Sequence, residues 1–312
     1  MFFGTSKTGL RWAAAYGFAW AAAFPNVESA SGAGPPTVVA TTTVVADLVR
    51  QVGGDRVVVD CLMGPGIDPH SYKATPRDAD RLSRGRLVVA SGLHLEGKLS
   101  DLLGRLARRT PVTAVADSLP REQLLSVGNE LYDPHVWFDA RLWSRCVPAV
   151  VTALGTLDPD GRAGYEARAA EYVRRLEELD DRLRERIATI PERRRVLVTA
   201  HDAFRYFGRA YGVEVVGVQG TSTEAEAGLA DINRLVDLIV ARDVPAVFVE
   251  TSVSDRNVAA LREGAKARGR AVVLGGRLHS DSLGGPGSGA ETLEEALASN
   301  VETIVAGLAG GR

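Results

Sequence analysis

The sequence predicts an α/β protein of two lobes, each a parallel sheet flanked by helices, bridged by one long helix. Two observations carry this. Short, unbroken, β-branched apolar runs alternate with amphipathic stretches in the first 120 residues and again after residue 195. Between them lies a single charged stretch of helical period that has no strand within it. Length agrees, since 312 residues suffice for two ordinary domains.

The first lobe opens with a strand at 37–40 (TVVA) and a helix near 45–52, followed by strands at 57–62, 87–90 and 112–115. None of these runs shows the apolar-polar alternation of a half-exposed strand, so each is expected to be covered on both faces. Strands separated by helical stretches imply crossover connections and a parallel sheet. Residues 158–190 form the connector, in which Tyr165, Ala169, Tyr172, Leu176, Leu179, Leu183 and Ile187 recur at helical spacing before Pro191 ends the run. At about 1.5 Å per residue such a helix would be about 40 Å long, longer than one small lobe needs. The alternation restarts with strands at 196–199, 213–218, 246–249 and 271–274, and a last helix runs from 291 to about 308. The expected division is a leader at 1–33, a first lobe at 34–157, the connecting helix at 158–191 and a second lobe at 192–312.

The leader is read from Lys7 and Arg11, the apolar run 12–24, Pro25 and the small residues that follow, the three-part pattern of a secretory signal peptide. The apolar run is short of the roughly 20 residues that cross a bilayer. No cysteine sits near the small residues, so the exported protein is expected free in the periplasm rather than lipid-anchored. The two cysteines, Cys61 and Cys146, read as small buried thiols, and nothing in their spacing shows whether they pair. A formal net charge of -2 gives no basic excess for a nucleic-acid surface.

Five histidines are the residues most able to carry chemistry. His70 lies in GPGIDPHSYKATPRD, ahead of a helix that Thr75 caps, with Pro76 at its first position and Asp78 at its third. His135 lies in YDPHVWFD before another helix. His201 follows the strand VLVTA and opens HDAFRYFGRAYG, and Asp281 lies in RLHSDSLGG after the last strand. His70, His201 and Asp281 thus occupy loops at the C-terminal ends of strands, the edge where open α/β sheets bind ligands. Imidazoles with a carboxylate suit zinc, and also manganese or iron. Two copies of Asp-Pro-His strengthen the pattern. On the residues alone, a metal site and a set of unrelated polar loop residues stand on an equal footing.

From about Thr37 to its end the chain resembles the metal-binding receptors of bacterial zinc and manganese ABC importers. GIDPHSYKATPRD, SGLHLEGKL, DPHVWFD, TAHDAFRYFGRAYG and SDSLG fit that family's pattern in order and spacing. The resemblance implies two α/β lobes on one long helix. It also implies four metal ligands at His70, His135, His201 and Asp281, of which the third is His in zinc-type members and Glu in many manganese-type ones. The implied function is capture of Zn2+, or alternatively Mn2+, and delivery to a membrane permease by a monomer without enzymatic activity. Three imidazoles and one carboxylate favour zinc, while a bidentate Asp281 would admit manganese. His94 and His279 are expected to be structural or to sit beside the ligands, and Glu250 to help from behind them. Asp68 and Asp133 are expected to form Asx turns. The segment 118–131 lacks the His- and acid-rich loop of some zinc receptors. Two other classes of function are open to such a chain. An exported zinc-dependent hydrolase would need an open metal position and a general base, and no HExxH is present. An adhesin on the same scaffold has no sequence feature in its favour.

Overall fold

The computed structural model describes residues 34–309, so the expected signal peptide lies outside the described residues. Strand β1 (Thr37–Ala40) leads into α1 (Thr43–Gly53), β2 (Val58–Cys61), α2 (Pro76–Arg84), β3 (Leu87–Ala90), α3 (Ser100–Leu106) and β4 (Val112–Ala114). The four strands form one parallel sheet in the order β2-β1-β3-β4, and β1 and β3 are covered on both faces as the apolar runs require. Helix α2 begins as the sequence indicates. Thr75 accepts from Asp78 N, the Asp78 carboxylate accepts from Thr75 N, and Pro76 occupies the first turn.

A small antiparallel hairpin, β5 (Ser126–Gly128) and β6 (Leu131–Tyr132), then delivers the chain to His135, and α4 (Ala140–Ser144) and α5 (Val147–Leu157) follow. The connector is α6 (Arg162–Ala188), 27 residues entered through a 3-10 turn at Pro159–Gly161. Its seven ridge residues are all buried, together with Asp180, which meets Arg141 at 2.6 Å and Arg184 at 3.2 Å.

The remaining elements are β7 (Val196–His201), α7 (Arg205–Tyr211), β8 (Glu214–Gln219), α8 (Leu229–Ala241), β9 (Ala246–Glu250), α9 (Arg256–Ala267), β10 (Val273–Leu278) and α10 (Leu293–Ala309). β7 pairs with β8 and β9 with β10, both parallel, and β7 lies beside β9. The architecture is therefore α/β, with parallel sheets flanked by helices and one long helix between them. Of the boundaries that differ from the sequence reading, two bear on the metal-facing loops. The last strand extends to Leu278, beyond Leu274, because Gly275 and Gly276 form a bulge inside it instead of a turn after it. A side chain at Gly275 would strike Phe248, and Gly276 has a φ of 144°. His201 closes β7, and the helix after it starts only at Arg205.

One apolar core takes in α1, α5 and β1 of the first half, the ridge of α6, and α7 and α10 of the second. A separate core lies under α8 and α9. Cys61 and Cys146 are free thiols. No helix among the described residues is long and apolar enough to cross a membrane.

Candidate metal centre

Each expected ligand is held by a different device. His70 stands in the Gly- and Pro-rich loop after β2, where Asp68 Oδ1 accepts its backbone N–H at 2.9 Å, the expected Asx turn. His135 has a more elaborate support. Asp133 Oδ1 accepts both its backbone N–H at 3.0 Å and its Nδ1–H at 2.7 Å. Asp133 is thus an orienting carboxylate as well as a turn former, which fixes the tautomer and turns Nε2 inward. His201 ends β7, and Glu250 ends β9 beside it. Glu250 Oε1 accepts the His201 backbone N–H at 2.9 Å, and Oε2 lies 2.6 Å from Nδ1. Asp281 follows β10, with Ser252 Oγ donating to its Oδ2 at 3.3 Å.

These supports bring four donors to one point. His135 Nε2 is 3.2 Å from His70 Nε2, 3.4 Å from His201 Nε2 and 3.3 Å from Asp281 Oδ1, and His201 Nε2 is 3.4 Å from Asp281 Oδ2. All four donor atoms lie within 4.8 Å of one another. A tetrahedral ion with ligands at about 2.05 Å has ligand–ligand edges of about 3.3 Å, and these four distances, with His135 and His201 facing different oxygens of Asp281, lie near that length. The four residues are buried, His70 at 4 % exposure and the others at 1 % or less. Asp281 Oδ1 is buried and accepts no hydrogen bond. Both Asp281 oxygens face imidazole nitrogens.

Without a metal the cluster is electrostatically polarised. Burial opposes charge on His135, but the Asp133 carboxylate and then Asp281 outweigh it and hold the imidazole up to about 9. Burial likewise opposes charge on His201, and Glu250 with Asp281 raises it well above the usual histidine value. Asp281 goes the other way, held well below the carboxylate range by these two imidazoles against the effect of burial. His70 is lowered to about 4, by burial first and by its two imidazole neighbours.

The other two histidines stay outside. His94 is exposed, at a left-handed φ of 63°, and is not among the residues that converge on the cage. His279 is tied by its backbone to Asn300 on α10, with 2.8 Å and 2.7 Å hydrogen bonds. Sequence reasoning did not single out Trp137, whose Nε1 donates to Ser280 O at 3.1 Å, or Ser282, whose Oγ accepts from Gly66 N at 2.9 Å. Both tie the Asp281 loop to the first half. Only the Asp-Pro-His repeat gave a local sign of the Asp133 role.

The chain matches the family model described as zinc-uptake complex component A periplasmic over residues 38–307. It is 43 % identical over 272 residues to the manganese-binding lipoprotein MntA of Bacillus subtilis (strain 168), covering 87 % of this chain and 89 % of that protein. It is also 43 % identical over 282 residues to the zinc-binding protein TroA of Treponema pallidum (strain Nichols), covering 90 % and 92 %. A solved structure of the periplasmic zinc-binding protein TroA from Treponema pallidum superposes with a TM-score of 0.86, covering 88 % of this chain and 99 % of that one. MntA is named a lipoprotein, so the expectation of an unanchored form gains no support from it. In sequence over nearly its whole described length, and in fold, the chain belongs to the family of the periplasmic component A of zinc-uptake complexes, the metal-binding receptors of ABC importers.

Proposed function

We propose that His70, His135, His201 and Asp281 are the ligands of one divalent transition-metal cargo ion, which this receptor captures outside the cytoplasm and passes to a membrane permease. The observation that carries the reading is the convergence of three imidazole nitrogens and one carboxylate, with edges of 3.2–3.4 Å, in a buried cage. Zn2+ fits this donor set best, because zinc takes four ligands of nitrogen and oxygen at about 2.0–2.2 Å. Mn2+ is the second reading, and the placement of both Asp281 oxygens toward the cage favours it by allowing a fifth bond. Four protein ligands leave no open position, which suits holding an ion and argues against the hydrolase. We assign the ligands to two lobes, 34–157 and 192–312, on the connector 158–191, and expect a monomer in the periplasm.

Metal analysis of protein purified without added metal identifies the cargo. Calorimetric titration with zinc tests the site. His201→Ala should weaken binding by more than about 100-fold, beyond the usual effect of losing a group that only orients a ligand, in a chain that still folds, though with a lower metal-free melting temperature because Glu250 and Asp281 lose their imidazole partner. Unchanged affinity would remove His201 from the site.

A further inference from the structure

The loop 64–75 that carries His70 is hydrogen-bonded to the second half through two side chains. Ser282 Oγ accepts from Gly66 N at 2.9 Å, and Thr223 Oγ1 donates to Asp68 Oδ2 at 2.6 Å. Thr223 belongs to the connection between β8 and α8, and its neighbour Glu224 pairs with Lys98 at 3.0 Å. This connection is therefore a strap that crosses from one half to the other at two adjacent residues. Asp68 sits at its far end and has a second task, since its Oδ1 holds the His70 backbone N–H.

His70 is the ligand most in need of such support. A carboxylate hydrogen-bonds Nδ1 of His135 and another lies 2.6 Å from Nδ1 of His201, but His70 has no carboxylate so placed among the described residues. It is also the most exposed of the four, at 4 %. Its position depends on the loop backbone, and that backbone depends on the Asp68 turn.

We infer that Thr223 is a positioning residue for His70, its hydroxyl fixing the Asp68 carboxylate and thereby holding the His70 loop over the bound ion. The inference rests on His70 being a ligand. Loss of the Thr223 hydroxyl leaves the Asp68 carboxylate held only from within its own loop, by the His70 N–H and by Ser71 Oγ at 2.6 Å on Oδ2, so the loop loses its tie to the second half, relaxes, and the ion escapes past the least supported ligand. Affinity differences of this kind are expressed mainly in the dissociation rate.

The experiment measures release of zinc from the full chain into excess chelator by stopped flow. Thr223→Val keeps the shape and removes the donor. It should release zinc about 10-fold faster, as expected for one hydrogen bond to a charged acceptor, with the metal-free melting temperature unchanged. Thr223→Ser restores the hydroxyl and should return the rate to within about twofold of the parent. Asp68→Ala removes the Thr223 link together with the His70 turn, so it should release zinc at least as fast as Thr223→Val, and the double variant should be no faster than Asp68→Ala alone, because the Thr223 link is already gone. A Thr223→Val rate within about twofold of the parent overturns the strap, as does a Ser variant as fast as the Val variant. His70→Ala separates the two ideas. If it weakens zinc binding while Thr223→Val does nothing, the site stands and the strap falls. If His70→Ala binds as the parent does, the ligand assignment itself falls.

Discussion

Raising the pH should tighten metal binding steeply and well above the range of free histidine. In the metal-free cage His135 is held up to about 9 by Asp133 and Asp281 against burial, and His201 is raised by Glu250 and Asp281 against burial. Both imidazoles are therefore pushed toward the charged form, in which Nε2, the atom the metal needs, carries a proton. His70, lowered to about 4, is already neutral, and Asp281 is already ionised. One ion must displace about two protons, so the dissociation constant should fall by about 100-fold per pH unit near neutrality. The dependence should become shallower above about 9, once His135 is neutral without help. The stability of the metal-free fold has the opposite sign. Raised imidazole values contribute fully below the unfolded value of 6.5, and that contribution is lost as pH rises through about 9. Zinc titrations at one pH in buffers of different ionisation enthalpy count the protons directly. Release of fewer than about one proton per ion, or an affinity flat between about pH 6 and 8, would refute the polarised cage.

Glu250→Gln keeps an acceptor near His201 but removes its charge, and should cost about 10–100-fold in zinc affinity while reducing the protons released by about one, both read in the same titrations. Gly217→Ala should disturb the site from behind. A Cβ at Gly217, paired with Thr199 across β7 and β8, would collide with the backbone of His201 and Asp202. Overpacking of this kind costs about 1–3 kcal/mol, so thermal melting should drop, and added zinc should recover little of the loss. A variant that melts and binds like the parent would show that β8 can yield without moving His201.

The parts legible in the sequence are those encoded locally. Helix α2 declares itself through Thr75, Pro76 and Asp78, and α6 through a ridge that the fold buries residue for residue. His70 and His135 announce themselves by the repeated Asp-Pro-His, because an Asx turn is made within three residues. What stayed hidden depends on residues far apart in the chain. Thr223 reaches Asp68 across 155 positions with no local pattern, and Glu250, which reaches His201 across 49, is expected behind the ligands mainly through the family resemblance and not from any local pattern. Gly275 and Gly276 misled for a related reason. Glycines inside a strand look like its end until the ring of Phe248 is seen filling the space a side chain would need.

The same long-range contacts bear on how the ion leaves. A long helix between two lobes argues for little hinge motion, with change expected in the loops of His201 and Asp281, but the contacts redirect that expectation. The Asp281 loop is tied to the first half by Trp137 to Ser280 O, Gly66 to Ser282 and Leu283 N to Thr43 Oγ1, and the start of α10 is tied by Leu293 N to Asp47 at 3.0 Å. The segment after His201 is tied as firmly. Phe204 packs on Phe138 with centroids 4.2 Å apart, and Tyr206 Oη donates to Asp133 O at 3.0 Å. Parting the halves would expose Phe138, Phe204 and Tyr206, at roughly 5–9 kcal/mol for three large side chains. Displacing the His70 loop gives up chiefly the Thr223 and Ser282 hydrogen bonds, on the order of 1–3 kcal/mol each when the acceptor is charged and less when it is neutral. The cheaper motion is the loop. Crystal structures with and without metal should therefore superpose in both halves, with His201 and Asp281 in place and the main shift in 64–75. A rotation of one half against the other on the order of tens of degrees, or withdrawal of His201 with His70 fixed, would show that the aromatic contacts yield before the strap does.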